Sequence, residues 1–221
     1  WGILTVVDSV SAMFGEEVCV DDFGIDLLCG GSQKAVSAPP GLTFVTISPA
    51  AWKTMKERRT PIASCYANLM AFDSYFEKQW FPYTMPVSDI RGLRTAFENI
   101  QADPDILDRH ARIAQAVRKA LTECGLTLHT RDGWSNTVSV FDVPAGTTAS
   151  AILTTLRADH NLMLAGSFDV LEGQVIRIGH MGENAREEKL AAVMKALDAV
   201  FAKLGVILNG SLEEVYRLCL Q

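Results

Sequence analysis

Short apolar runs separated by glycine- and serine-containing loops constrain this chain more than any other feature. Ile3 to Val7, Ile25 to Cys29 and Leu42 to Ile47 are each five or six residues long, a length that suits strands and is too short for a buried helix. The segment that follows has helical grammar: Ser48 is available as N-cap, Pro49 takes the first helical position, and the helix is predicted to run to Arg59. Strands followed by helices spell an α/β architecture. The first run is apolar enough to be expected as an interior strand of a parallel sheet, covered on both faces. Because residue 1 is Trp and the strand begins at once, the chain is expected to begin inside a domain, with neighbouring strands encoded upstream.

Further along, Pro61 to Trp80 is aromatic-rich and has no clear period. Ile90, Leu93, Phe97 and Ile100 then recur at steps of three and four, the mark of an amphipathic helix. Asp103-Pro104 signals a second start, and Ile106, His110, Ile113, Val117, Ala120 and Cys124 keep the helical period until Gly125. The domain boundary is placed here, giving residues 1–102 and 103–221. The second domain is expected to hold strands at 127–130, 137–141, 161–164 and 175–178, with a helix from Thr148 to about Ala158. Asn184 with Glu187 reads as a capping box for a helix carrying Leu190, Val193, Leu197, Val200, Phe201 and Leu204, and a terminal helix opens near Ser211.

Composition narrows the function. Of 221 residues, 48% are hydrophobic and 26 acidic residues outweigh 20 basic ones for a net charge of −6, so neither a nucleic-acid surface nor an anionic-membrane surface is expected. No apolar run is long enough for a membrane span. Cys19, Cys29, Cys65, Cys124 and Cys219 are odd in number and lack C-x-x-C spacing. They read as reduced, mostly buried thiols, and with no signal peptide in view the expected location is cytoplasmic.

Several catalytic motifs are absent: H-E-x-x-H, G-x-S-x-G and G-x-G-x-x-G do not occur, and the four histidines show no metal-ligand spacing. Gly30-Gly31-Ser32-Gln33-Lys34 fails as a Walker A loop because Gln33 and Ala35 stand where Gly and Ser or Thr are required. What remains is Asp8, at the carboxyl end of the first strand, and Lys34, in the loop after the second. In an open α/β sheet both would face the crevice beyond the strand ends. Taken alone, Lys34 reads first as a solvated surface lysine and Asp8 as a turn or cap residue.

Val7-Asp8-Ser9-Val10-Ser11, Asp22-Phe23-Gly24-Ile25-Asp26, Gly31-Ser32-Gln33-Lys34-Ala35, Pro39-Pro40-Gly41-Leu42, Pro82-Tyr83-Thr84-Met85-Pro86 and Ile176-Arg177-Ile178-Gly179-His180-Met181-Gly182 follow one another in that order. Together they closely resemble the class V aminotransferases of fold type I, in the branch of alanine-glyoxylate and serine-pyruvate aminotransferases. The resemblance covers essentially the whole chain. It implies the lysine-bearing C-terminal part of the large domain, a mostly parallel sheet with flanking helices, followed by a small α/β domain, with the N-terminal portion absent.

The resemblance also implies pyridoxal 5′-phosphate (PLP) and a ping-pong exchange between a small amino acid, alanine or serine, and a 2-oxo acid, glyoxylate or pyruvate. Lys34 would form the Schiff base and shuttle the proton, Asp8 would keep the pyridine nitrogen protonated, and Val10 would pack on the ring, although plain core packing is an equal reading for Val10. Gln33 would bond near the phosphate, and Thr84 would reach the phosphate of a neighbouring subunit in a homodimer. Arg177 would take the substrate α-carboxylate through its planar fork, against a structural ion pair as the alternative. Trp80-Phe81 departs from relatives that carry a polar residue or Tyr there. Other readings stay open: a related PLP lyase or desulfurase, or a non-catalytic folded or dimerising module. A chain without the N-terminal phosphate cup is expected to be inactive alone.

Overall fold

The computed structural model describes residues 2–221. They divide into two compact units, one of residues up to Ser11 with Val18–Asn99, the other of Ala12–Glu17 with Ile100–Gln221. Segment 12–17, which the sequence reading assigned to the first domain, thus belongs to the second.

In the first unit three strands form a sheet in the order β1 (Val6–Asp8), β2 (Leu27–Gly31) and β3 (Thr43–Ile47). β1 runs parallel to β2, with Asp8 opposite Cys29, and β3 returns antiparallel, with Thr43 opposite Gly31. Only one of these two pairings is therefore parallel. Among the residues of this chain β1 is three residues long and lies at the sheet edge, and Ile3 and Val6 are 82% and 71% exposed; cover on both faces was expected only together with strands encoded upstream.

Helix α1 (Pro49–Lys56) starts as the sequence dictates. Ser48 Oγ accepts a bond from Ala51 N at 3.0 Å and donates to Asp26 Oδ1 at 2.6 Å, satisfying one of the free amides of the first turn. Asp26 also accepts from Thr5 N at 3.0 Å, so one carboxylate ties the approach to β1 to the cap of α1. These bonds, that from Ser48 first, lower the Asp26 pKa. Between α1 and α2 (Val87–Gln101) the chain is irregular apart from a 3₁₀ turn at Leu69–Phe72. There the rings of Phe72, Phe81 and Tyr83 meet edge to face at 5.7–6.3 Å, and Tyr66 stacks on Tyr83 at 4.8 Å.

The second unit pairs β4 (Val138–Asp142) antiparallel with β5 (Val175–Gly179), setting Val140 opposite Arg177. Helices α3 (Ile106–Glu123), α4 (Ala149–His160), α5 (Glu187–Lys203) and α6 (Leu212–Cys219) complete it. The helical periods found in the sequence are those that bury: Ile113, Val117 and Ala120 of α3 and Leu197, Val200 and Phe201 of α5 are fully inside. Phe201 meets Phe141 of β4 edge to face at 6.4 Å.

Several local expectations are corrected. Residues 127–130 and 161–164 are not strands; each neighbourhood contributes one isolated bridge, Leu128 to Phe141 and Ala165 to Arg177. Asn161 is instead the left-handed C-cap of α4. The Asn184–Glu187 capping box does not form, because Gly182–Asn184 is itself a 3₁₀ turn and Arg186 takes the N-cap position of α5. Asp103 does not cap α3; it forks onto Arg109 at 2.6 and 2.7 Å, and that guanidinium holds its carboxyl below the usual range. Of the five cysteines only Cys124 is buried, and Cys65 is exposed.

Candidate active site

Parallel pairing of β1 with β2 puts the carboxyl ends of both strands at the same end of the sheet. Asp8 ends β1, and β2 ends at Gly31, from which the chain turns through Ser32 and Gln33 to Lys34. The turn after Asp8 is fixed by its own carboxylate: Val10 N donates to Asp8 Oδ1 at 2.9 Å, and Ser9 N donates to Cys29 O at 2.8 Å. Such an Asx turn is what a short acidic side chain does best at a strand end, so the turn role and an exposed carboxylate coexist in one residue.

The lysine loop is clasped at its base. Ser32 N donates to Leu42 O at 3.1 Å, Ser32 Oγ donates to Pro39 O at 2.6 Å, and Ala38 N donates to Ser32 O at 2.9 Å. Gly31 lies under a crowded spot, because a Cβ there would stand 2.9 Å from Gln33 Oε1 and 3.3 Å from Val10 Cγ1. Val10, Gly31 and Gln33 are therefore neighbours. Lys34 is half-buried, and no hydrogen bond or ion pair engages its amine among the described residues. The result is an unpaired primary amine, an oriented carboxylate and a glycine floor at one end of a sheet.

Four of the six expected site residues, Asp8, Val10, Gln33 and Lys34, lie on the two segments that leave this end of the sheet. Thr84 stands apart on the segment leading to α2 and is exposed. Its neighbour Tyr83 donates its hydroxyl to Cys65 O at 2.6 Å. Arg177 belongs to the second unit, half-buried on β5 between the buried Ile176 and Ile178. Its Nε donates to Gly166 O at 2.6 Å, and among the described residues no carboxylate pairs with it. Among the described residues the structural ion pair considered for Arg177 is not formed, and no hydrogen bond or ion pair engages its two terminal nitrogens.

Beyond Arg177, β5 leads into a buried polar network that sequence reasoning missed. His180 Nδ1 donates to Asn136 O at 3.1 Å, so Nε2 accepts from Ser139 Oγ at 2.9 Å. Burial drives its pKa down to about 4, so the ring is neutral. His110 likewise donates Nδ1 to Ile106 O at 2.6 Å and accepts from Gly182 N at 2.9 Å. Glu16 accepts from Ser135 Oγ at 3.2 Å, from Asn136 Nδ2 at 3.0 Å and from Asn136 N, which is why segment 12–17 joins the second unit. These partners are about 120 residues from Glu16 in sequence, beyond the reach of any local motif. Ser9 was also missed: its buried hydroxyl has no hydrogen-bond partner, an arrangement that costs about 1–3 kcal/mol.

Among the described residues no group of three or more His, Cys, Asp or Glu side chains is placed to hold a metal ion, and no helix is long and apolar enough to cross a membrane.

Comparison with known proteins gives a consistent result. The chain is 37% identical over 204 residues to the soluble hydrogenase small subunit of a Synechococcus species, covering 91% of this chain and 52% of that protein. It is 31% identical over 207 residues to the L-aspartate–glyoxylate aminotransferase of Paracoccus denitrificans, covering 92% and 52%. The ureidoglycine-glyoxylate aminotransferase structure from Bacillus subtilis superposes with a TM-score of 0.91 at 27% identity, covering 98% of this chain and 57% of that one. The chain spans about half the length of the curated relatives it matches. Residues 1–167 match the family model described as aminotransferase class-V, and with the lysine loop and strand-end carboxylate in place the chain belongs to the class V aminotransferases.

Proposed function

We propose that the protein containing this chain is a PLP-dependent aminotransferase, moving nitrogen between a small amino acid and a 2-oxo acid such as glyoxylate or pyruvate. The observation that carries the reading is the unpaired Lys34 amine at the same sheet end as the oriented Asp8 carboxylate. When bound, PLP supplies the aldehyde that takes the amino group and the electron-poor ring that accepts the electron pair of the substrate Cα–H bond.

Lys34 would hold the cofactor through its amine, and the same amine would serve as the base that takes the proton from the substrate carbon. Asp8, held by Val10 N–H, keeps a proton on the pyridine nitrogen because an opposite charge at contact favours the charged form. Val10 covers a ring face, and Gly31 leaves room for the close approach of backbone. Gln33 hydrogen-bonds near the phosphate. Arg177 binds the substrate α-carboxylate with its two terminal nitrogens. Thr84, exposed beside an aromatic cluster that leaves Tyr66 and Phe76 about four-fifths in solvent, serves the phosphate of a second subunit in a homodimer. A cytoplasmic location fits an odd set of free thiols.

Serine separates this reaction from elimination or sulfur chemistry. With PLP-loaded protein, transamination of serine yields hydroxypyruvate and leaves the nitrogen on the cofactor, whereas a lyase releases pyruvate and ammonia. The expected product is hydroxypyruvate, in an amount that depends on Lys34. Equal yields from Lys34→Ala, or pyruvate with ammonia, would overturn the proposal.

A further inference from the structure

Phe168 is 73% exposed, so burial does not account for where its ring lies. The ring centroid sits 6.0 Å from Arg177 Cζ, within reach of a cation–π contact. The backbone is shaped to bring it there. Asp169, the next residue, takes a left-handed φ of 57°, which is unfavourable for a residue with a Cβ, and it opens a short 3₁₀ turn, Asp169–Leu171. Leu171 N closes on Phe168 O at 3.3 Å, and Gln174 Nε2 donates to Val170 O at 2.6 Å. On the other side of the arginine, Arg177 N donates to Ala165 O at 2.7 Å and Nε to Gly166 O at 2.6 Å. The guanidinium is thus tied to the main chain through Nε, and its Cζ lies over an aromatic ring. The terminal-nitrogen edge alone is left for a planar anion.

We infer that Phe168 is a positioning residue for Arg177, presetting the plane of its fork for the carboxylate of amino-acid and 2-oxo-acid substrates. This rests on the role given to Arg177 above. A preset fork loses less freedom when it binds, and an exposed cation–π contact is worth about 0.5–1 kcal/mol. Because the same carboxylate is held throughout the reaction, the contact acts on binding rather than on the chemical step. The face of the ring matters, not its bulk.

The test uses the PLP-loaded protein that contains this chain, isotope-labelled at arginine, and follows the Arg177 Nε–H resonance by NMR while pyruvate is added. Phe168→Ala and Phe168→Leu should both lose the ring-current shift of that resonance and weaken pyruvate binding about two- to fivefold. Phe168→Tyr should restore both. In the PLP-loaded enzyme the Ala variant should raise KM for the amino acid by the same factor and leave kcat within about twofold. Pyruvate binding unchanged in Phe168→Ala, or restored by Phe168→Leu, would overturn the positioning role while leaving Arg177 in place. Failure of the unsubstituted PLP-loaded protein to bind pyruvate at Arg177 would overturn the Arg177 reading and this inference with it.

Discussion

The two units of this chain treat their apolar side chains differently. In the second, Ile113, Val117, Phe141, Ile176, Leu197, Phe201 and Tyr216 are wholly inside one cluster walled by α3, α5, α6 and the β4/β5 ladder. In the first, the buried set is Leu28 and a few small residues, Ala35, Val36, Ala38, Ala51 and Ala96. Ile3, Val6, Tyr66 and Phe76 remain mostly in solvent. The lysine and the strand-end carboxylate belong to the unit with the thinner core. Their positions come from turns and clasping hydrogen bonds, whereas Arg177 is carried by a strand whose neighbours in sequence are fully packed.

That contrast can be broken or sharpened by substitution. The largest effect is expected at Lys34, where Lys34→Ala removes tether and proton carrier together. Transfer of nitrogen by the loaded protein should fall at least about 10³-fold, while its unfolding midpoint stays close to the parent value because no hydrogen bond or ion pair engages the amine among the described residues. Preserved transfer would remove Lys34 from the chemistry.

Stability should respond in the opposite unit. Phe201→Ala opens a cavity against Phe141 and should cost about 3–5 kcal/mol in urea unfolding, whereas Val6→Ala at the open edge should cost under about 0.5 kcal/mol. Comparable losses at the two positions would erase the difference between the cores.

Acid should act through the second unit as well. His180 is held neutral by burial, its pKa lowered from 6.5 to about 4. In the window between these values the unfolded chain binds a proton that the folded chain refuses, so stability rises with pH there. It is fully present above pH 6.5 and lost as pH falls towards 4, by an amount on the order of 3 kcal/mol. His180→Asn should flatten that part of the profile. An unchanged slope would place the acid sensitivity elsewhere.

A smaller effect is expected at Arg177. Arg177→Lys keeps the charge but loses the planar fork, and should reduce kcat/KM for alanine or serine by about 2–3 kcal/mol in transition-state terms. PLP affinity should not change, since Arg177 is assigned to the substrate carboxylate and not to the cofactor. An unaltered kcat/KM would leave Arg177 without a substrate role.

What could be read in advance follows the same division. Ser48 with Pro49, and Ser211 at the start of α6, were legible because a cap is a local bargain between one hydroxyl and the first turn. The buried faces of α3 and α5 were legible from period alone. Asn184 with Glu187 misled, since the same residue types also suit a 3₁₀ turn, and the buried Ala185 with Arg109 Nε on its carbonyl fixes that alternative. Asp8 and Lys34 were recognisable through their motifs. Their alignment depended on parallel pairing across the intervening loop, and Phe168 on a left-handed Asp169, which no periodicity announces. Glu16 and His180 were hidden for the same reason, because their partners lie on distant segments.

The central claim is that Lys34 is the residue that holds PLP. Borohydride reduction of the PLP-loaded protein, followed by proteolysis and mass mapping, tests it most directly. The pyridoxyl adduct is expected on the peptide containing Ser32-Gln33-Lys34, with none in Lys34→Ala. An adduct on Lys53 or Lys56, or one that survives in Lys34→Ala at the same yield, would contradict the account.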